Sequence, residues 1–368
     1  MMPLLRRGKD TSGLPSGGAY GADVPKTPIK PLISSANRIT ISDIAAAAGV
    51  SHQVVSVSLR GAAGGGSVRV STATAERVRR LAAELGYRPN SAARSMRAGR
   101  HHRIALLTST RDGTNAVPQG FIERLHDRLA DAGLELTLHR VDDAQLVDGQ
   151  RLPVILSRWS CDGLVVTYTC DLPPRLEELI GASGLPAVWV NRRRTSNCVL
   201  FADEAAAAEA TRQLAALGHR RIAFVCAERD ETTHHSIAER RTGYRQAMRD
   251  LGLTPLEVAA GECRWLRTAK RPTGVVCYSD RECCSVAGAC LRLGLRIPGD
   301  CSLTGILTYG PHLDLDLAHG ELDGLALGAA AAAMMRQLLQ PGAAPQPPVV
   351  IPVPFKPGAS IAQLEPRR

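Results

Sequence analysis

ITISDIAAAAGVSHQVVSVSLR, residues 39–60, carries two apolar patterns of helical spacing separated by a single glycine. Ser42 is placed to cap a first helix whose apolar side is Ile44, Ala45 and Ala48, and Gly49 supplies the backbone freedom a tight turn needs. Ser51 then caps a second helix. There Val54, Val55 and Leu59 pack against the first helix, leaving His52, Gln53, Ser56 and Val57 on or near the outer side. An exposed helix of this size fits the major groove of duplex DNA. An ordinary helical hairpin would show the same pattern, so the flanking residues have to decide between them.

Outward from this pair, the chain enters a glycine-rich stretch, Gly61-Ala-Ala-Gly-Gly-Gly-Ser67, which reads as a loop. Ser71 caps a third helix in which Val78, Leu81, Ala82 and Leu85 follow helical spacing, closing a three-helix core too small to be very stable alone. Upstream, residues 1–37 are rich in Gly, Pro and Ser without an apolar period, and disorder is expected there. They are either an inert tail, even a misassigned start, or a basic arm that touches phosphates; the lack of pattern favours the first.

The formal net charge of +10 is unevenly spread. Residues 1–37 hold +3, residues 38–103 hold eleven arginines against three acids for +8, and the remainder holds −1. The positive field therefore belongs to the segment with the helix pair. A polyanionic partner follows, because each neutralised phosphate releases condensed counterions.

No apolar stretch is long enough to span a bilayer; the alanine run at 329–333 lies between Gly328 and Pro341 and reads as a buried helix. The first residues lack the apolar core of a secretory signal, so the expected compartment is the cytoplasm. All ten cysteines lie at or after Cys161 with no C-x-x-C pair, and no histidine stands at metal-ligand spacing beside them. They read as reduced core residues, and neither a metal nor another cofactor is expected.

Three motifs at their separations resemble the lactose-repressor (LacI/GalR) family: Ala48-Gly-Val-Ser51, Leu85-Gly-Tyr-Arg-Pro-Asn90 and Ala93-Arg-Ser-Met-Arg97. The resemblance extends over nearly the whole chain. It implies a helix-turn-helix DNA-binding domain at 38–88, a hinge helix and linker at 89–102, and a ligand-binding and dimerisation core at 103–368. By the same resemblance, Asn90 to Arg97 form a hinge helix that orders on operator DNA. Paired in a dimer, two such helices enter the minor groove and an apolar wedge bends the duplex. Met96 stands at the wedge where the family usually has Leu, Ala93 is small enough for close approach, and Arg94 and Arg97 lie near phosphates; the plain alternative is an interdomain linker. Val57 replaces the family's usual arginine or polar residue, exchanging a hydrogen bond for an apolar contact such as a thymine methyl. His52 and Gln53 remain the base readers. Arg69, after a glycine-rich loop longer than the family's, is the candidate for a phosphate contact.

From Ile104 the pattern becomes alternating strands and helices. Apolar runs at 104–108, 163–168, 187–190, 222–225, 274–277 and 302–306 read as buried parallel strands, and 119–132 as a helix. By resemblance this is an α/β periplasmic-binding-protein-like core of two doubly wound lobes behind the all-α helix-turn-helix head. Lobe 1 is expected at about 103–200 and 319–345, lobe 2 at about 201–318 and 346–368, with crossings near Phe201, His319 and Gln346.

Clefts at the carboxyl ends of such strands bind small molecules. Asn191, Ser236, Arg240, Ser279 and Asp280 match the family's pocket positions, and the guanidinium of Arg240 offers paired donors to a polar ligand; its structural alternative is an interlobe salt bridge. Gly305-Ile-Leu307 replaces the family's Gly-aromatic-Asp, so a carboxylate that often grips a sugar is missing. The segment from Trp265 to Asp280 is too short for a full helix between parallel strands.

The reading implies a transcriptional regulator, most often a repressor, in the bacterial cytoplasm on the nucleoid. Its partners are a palindromic double-stranded operator, a second copy of the chain and a small-molecule effector such as a sugar or related metabolite. A regulator without effector is one alternative. A solute-binding protein of the same two-lobed fold is another, but it would need an export signal and no helix-turn-helix. An enzyme would need a nucleophile elbow, phosphate loop or paired carboxylates, and none accompanies Cys283, Cys284 or the histidines.

Overall fold

The structure, a computed structural model, describes residues 39–60, 70–88, 100–111, 117–147, 160–227, 234–261, 263–308 and 316–364. The leader, Arg69 and the hinge residues Asn90, Ala93, Arg94, Met96 and Arg97 lie outside the described residues. The chain divides into two compact units, residues 1–90 and 91–368.

The first unit contains α1 (Ile41–Ala48), α2 (His52–Arg60) and α3 (Thr72–Glu84). Ser42 is not the cap of α1. Thr40 holds that place because Asp43 stands three residues after it: the Thr40 hydroxyl accepts from Asp43 N, while the Asp43 carboxylate accepts from Thr40 N at 2.7 Å. This reciprocal box satisfies two otherwise open helix-end donors. Gly49 ends α1 at φ 63, a left-handed conformation that side chains resist. Ser51 accepts from Val54 N at 3.3 Å and Ser71 from Thr74 N at 3.2 Å, as their positions imply. Ile44, Val55 and Val78 are fully buried at the centre, with Ala45, Ala48 and Ala82 around them. Leu85 does not join them: it caps α3 and is 39% exposed, whereas Ala75 takes the inner face one turn from the helix start.

The second unit holds two six-stranded sheets. The first contains β1 (Arg103–Ser109), β2 (Glu135–Val141), β3 (Gly163–Val166), β4 (Ala187–Val190), β5 (Cys198–Phe201) and β11 (Val349–Ile351), in the order β11-β5-β4-β3-β1-β2. The second contains β6 (Ile222–Cys226), β7 (Leu256–Ala259), β8 (Gly274–Cys277), β9 (Ser302–Leu307), β10 (Ala318–Glu321) and β12 (Phe355–Lys356), in the order β12-β10-β9-β8-β6-β7. All pairings are parallel except β10 with β12.

Alternation along the strands feeds two faces. In the first sheet Ile104, Leu106, Val165 and Val188 meet Phe121, Leu125 and Leu129 of α4 (Phe121–Ala130). Ala105, Leu107, Leu164 and Val166 meet Leu176 and Ile180 of α6 (Pro174–Ala182), the helix that follows the short α5 (Asp143–Val147). The second sheet is covered likewise by α7 (Asp203–Ala216) and α8 (His235–Asp250) on one side and α9 (Asp280–Arg292) on the other. Between β7 and β8 a single 3-10 turn, Arg264–Arg267, stands where a helix is usual, as the short spacing requires. The last helix, α10 (Gly324–Leu338), packs on α4 and the first sheet.

The chain passes between sheets three times. The first passage is at Ala202, between β5 and α7. The second falls at 322–323, after β10, rather than near His319, because Ala318–Glu321 pairs with β9 and so belongs to the second sheet. The third falls at 352–354 rather than near Gln346, because Val349–Ile351 first pairs with β5.

Helices α7 and α8 approach so closely that a Cβ on Gly243 would stand 1.9 Å from the Glu204 carbonyl oxygen. Gly243→Ala therefore forces the helices apart. A loss of at least about 1–3 kcal/mol, the usual cost of overpacking, is expected in chemical denaturation, and an unchanged midpoint would show that the approach is not required.

Candidate nucleic-acid interface and effector cleft

In the first unit, α2 exposes His52 and Gln53, with Ser56 and Val57 half-buried beside them; Ser42 and Ser51 are exposed at the starts of α1 and α2. Helix starts present unpaired N–H groups and the positive end of the helix dipole, an arrangement suited to phosphate oxygens. Two of the arginines have structural duties as well. Arg77 donates to the Ala48 carbonyl at 2.9 Å and Arg79 to the Ser58 carbonyl at 3.0 Å, so α3 clamps the carboxyl ends of α1 and α2.

In the second unit, the predicted pocket residues stand at the carboxyl ends of the strands and at the start of α8. Asn191 follows β4 with φ 49, and its Oδ1 is buried without a hydrogen-bond partner among the described residues. Its carbonyl accepts from His234 Nε2 at 2.8 Å. That donation fixes the proton on Nε2 and leaves Nδ1 to accept from Ser236 N and from the Ser236 hydroxyl, 2.7 Å away. With its proton committed to His234, the Ser236 hydroxyl accepts from Tyr278 OH at 2.8 Å. One chain of hydrogen bonds thus runs from the end of β4 in the first lobe to the end of β8 in the second.

Arg240 is turned inward. Its Nε donates to Asp203 Oδ1 at 2.6 Å, Nη1 donates to the Tyr278 carbonyl, and the guanidinium lies 4.7 Å from the Tyr278 ring centroid. At 4% exposure it forms an ion pair within the second lobe. The interlobe salt bridge belongs instead to Arg193, after β4, and Glu239, on α8. Ser279 donates to Glu282, a fully buried carboxylate that also accepts from Ala227 N, and Asp280 accepts from Thr308 N at 3.0 Å. Asn191, Ser236 and Arg240 therefore share one network, while Ser279 and Asp280 brace the loops beside it.

Sequence reasoning missed His234, His235, Tyr278, Asp203, Arg193 and Glu239. The adjacent histidines at the start of a helix after a buried strand, and the triple arginine following Asn191, were the available signals. The absent carboxylate at Leu307 has its reason in the core: that side chain is buried at 3% exposure beneath α9.

All ten cysteines are free, and eight are buried. Exposed Cys284 has its thiol pushed up by partial desolvation and by neighbouring Cys283, opposite to the activation of a nucleophile. Among the described residues no helix is long and apolar enough to cross a membrane.

Residues 40–90 match the family described as "Bacterial regulatory proteins, lacI family", and residues 211–361 match the "Periplasmic binding protein-like domain". The HTH-type transcriptional regulator GntR of Escherichia coli is 31% identical over 286 residues, covering 73% of this chain and 81% of the relative. The chain belongs to the lacI family of bacterial regulatory proteins. Like other lacI-family members it is a DNA-binding transcriptional regulator with a helix-turn-helix head and a two-lobed core. The HTH-type transcriptional repressor PurR of Haemophilus influenzae is 27% identical, covering 72% of this chain and 81% of the relative. In fold, the chain is similar to the lac repressor dimer crystallised with operator and the anti-inducer ONPF: TM-score 0.71, 21% identity, 89% of this chain and 100% of that one.

Burial holds His219, His234 and His235 below the ordinary imidazole value of 6.5; for His235, with His234 and Arg193 adding repulsion, the value is pushed down to about 3. As pH falls through 6.5 the unfolded chain takes up protons that these folded rings refuse, so their stabilisation is complete above 6.5 and is lost progressively toward 3. Asp300, held down to about 2 by its bonds to Arg296, adds to the loss only below its ordinary 3.8. The expected melting temperature of this lacI-family regulator falls steadily between about pH 7 and about pH 4.5, and His235→Gln flattens part of that slope. A melting temperature that held or rose on acidification would contradict the neutral buried histidines.

Proposed function

We propose that the chain is a sequence-specific regulator, acting as a repressor, that binds a palindromic operator as a homodimer and is modulated by a polar small molecule held between its lobes. The observation that carries this is the exposed amino-terminal end of α2, with His52 and Gln53, on a segment of net charge +8. His52 and Gln53 read base edges in the major groove, and Val57 meets an apolar base edge. Ser42, Ser51, Ser56 and Arg69 contact phosphates, which set the register on the duplex. Asn90, Ala93, Arg94, Met96 and Arg97 form the hinge that enters the minor groove, with Met96 as the wedge.

Dimerisation is supported by an apolar face on the first lobe. Ile122, Leu138 and Leu325 are 46%, 62% and 45% exposed, and Val117 and Leu136 line one groove with the first two. The lac repressor, similar in fold, is a dimer on its operator. The effector reading rests on Asn191 Oδ1, buried without a partner among the described residues, an acceptor at the strand ends that a ligand hydroxyl would satisfy. Ser236, Arg240, Ser279 and Asp280 shape the surrounding wall. Closure of the lobes around such a ligand shifts the population of DNA-competent dimer. The regulator acts in the bacterial cytoplasm, where its duplex target lies, and no catalytic step is part of this reading.

Operator selection from random duplex, followed by footprinting, tests it. Gln53→Ala is expected to lose about 1–3 kcal/mol of discrimination at one base pair of each half-site while leaving others intact; unaltered preference at every position would remove Gln53 from the readers. Leu138→Asp is expected to shift the protein to monomer in sedimentation and to weaken operator binding with it. A dimer persisting in that variant would place the interface elsewhere.

A further inference from the structure

Asp203, His235 and Glu239 converge beside the cleft, with one potential ligand atom from each lying within 4.8 Å of the others. His235 and Glu239 are four residues apart on α8 and so share a face, while Asp203 is the first residue of α7, which is pressed against α8 at Gly243. Two of these atoms are unexplained by the protein alone. Asp203 Oδ2, on a side chain with no solvent exposure, and His235 Nε2, on one with 14%, have no hydrogen-bond partner among the described residues and stand 3.9 Å apart. A buried, unpartnered carboxylate oxygen is costly, and a cation removes that cost.

We propose that Asp203 Oδ2, His235 Nε2 and the Glu239 carboxylate hold a divalent transition-metal ion such as Zn²⁺ or Co²⁺. One imidazole and two carboxylates suit such ions, whereas a hard cation takes oxygen alone and monovalent copper takes sulfur. Ligands about 2.1 Å from a tetrahedral zinc stand roughly 3.4 Å from one another, so small side-chain rotations bring the set together.

The surroundings orient the set and also limit it. Arg240 occupies Asp203 Oδ1 and Arg193 occupies Glu239 Oε1, leaving one oxygen of each carboxylate for the ion. With both carboxylates paired to guanidiniums, a dication adds uncompensated positive charge, so its remaining positions favour water or an anionic donor. Arg193 comes from the first lobe and Glu239 from the second, and the Arg193 side chain is 53% exposed. Metal loading and the interlobe salt bridge therefore act on the same carboxylate. This site stands whether or not the cleft takes the effector proposed above.

The full chain, treated with chelator and titrated with Co²⁺ alone by calorimetry and visible absorption, tests the site. One ion per chain is expected, without thiolate charge-transfer bands. Loss of a direct ligand costs at least what loss of its outer partner does, so His235→Gln and Glu239→Gln each weaken binding by about tenfold or more, while Cys284→Ser leaves it unchanged. Melting curves establish that each variant is folded; should His235→Gln fail to fold, Glu239→Gln decides. Absence of saturable binding, equal affinity in a folded His235→Gln or Glu239→Gln variant, or thiolate bands would overturn the proposal.

Discussion

The Asp203–Arg240 ion pair, almost without solvent, holds the second lobe's side of the cleft in place. A charge pair so buried gains little net stability over an apolar substitute, yet removing one partner strands the other at a cost of about 3–5 kcal/mol. What it contributes is geometry. Asp203 follows the first passage between the sheets, Arg240 lies on α8, and the same guanidinium holds the Tyr278 carbonyl at the end of β8. Three elements distant in sequence are thereby fixed to one another, and Tyr278, Ser236 and His234 extend that rigidity to Asn191 in the first lobe. Directional hydrogen bonds and the Arg193–Glu239 salt bridge cross between the lobes, beside an apolar core that continues from one sheet to the other.

The central strands were legible because parallel strands covered on both faces are continuous apolar runs, and all six runs read from the sequence are strands of the two sheets. The other six were not, and for four of them the reason is plain. Glu135–Val141 and Leu256–Ala259 lie at sheet edges and expose part of their length, while Phe355–Lys356 and Val349–Ile351 exist only because the chain returns past partners already in place. Local capping behaved similarly: Ser51 and Ser71 are evident from spacing, but Thr40 outcompetes Ser42 through a side chain three residues on. The passages near 319 and 346 were misplaced because pairing partners, not composition, decide to which sheet a short strand belongs.

For the cleft, resemblance located positions but not their employment. Arg240 was legible as a residue facing polar chemistry; that its donors are spent on Asp203 and Tyr278 depends on how closely α7 and α8 approach, and Gly243 permits that approach without any local signal. His235 and Glu239 are visible as a helical pair, but Asp203, which completes the group, is contributed by a different helix. In the head, the exposed residues of α2 follow directly from helical periodicity, whereas the employment of Arg77 and Arg79 as clamps on neighbouring helix ends is visible only in three dimensions.

The account depends on recognition of a particular duplex, with electrostatic attraction supplying strength and base contacts supplying choice. The most direct measurement is the affinity of the full chain for fragments of its own chromosome, against random duplex of equal length, across a salt series. A few fragments bearing an inverted repeat should bind at least about a thousandfold more tightly than random duplex, with both affinities falling as salt rises. Uniform, salt-sensitive attachment to every duplex, with no fragment preferred, would contradict the account.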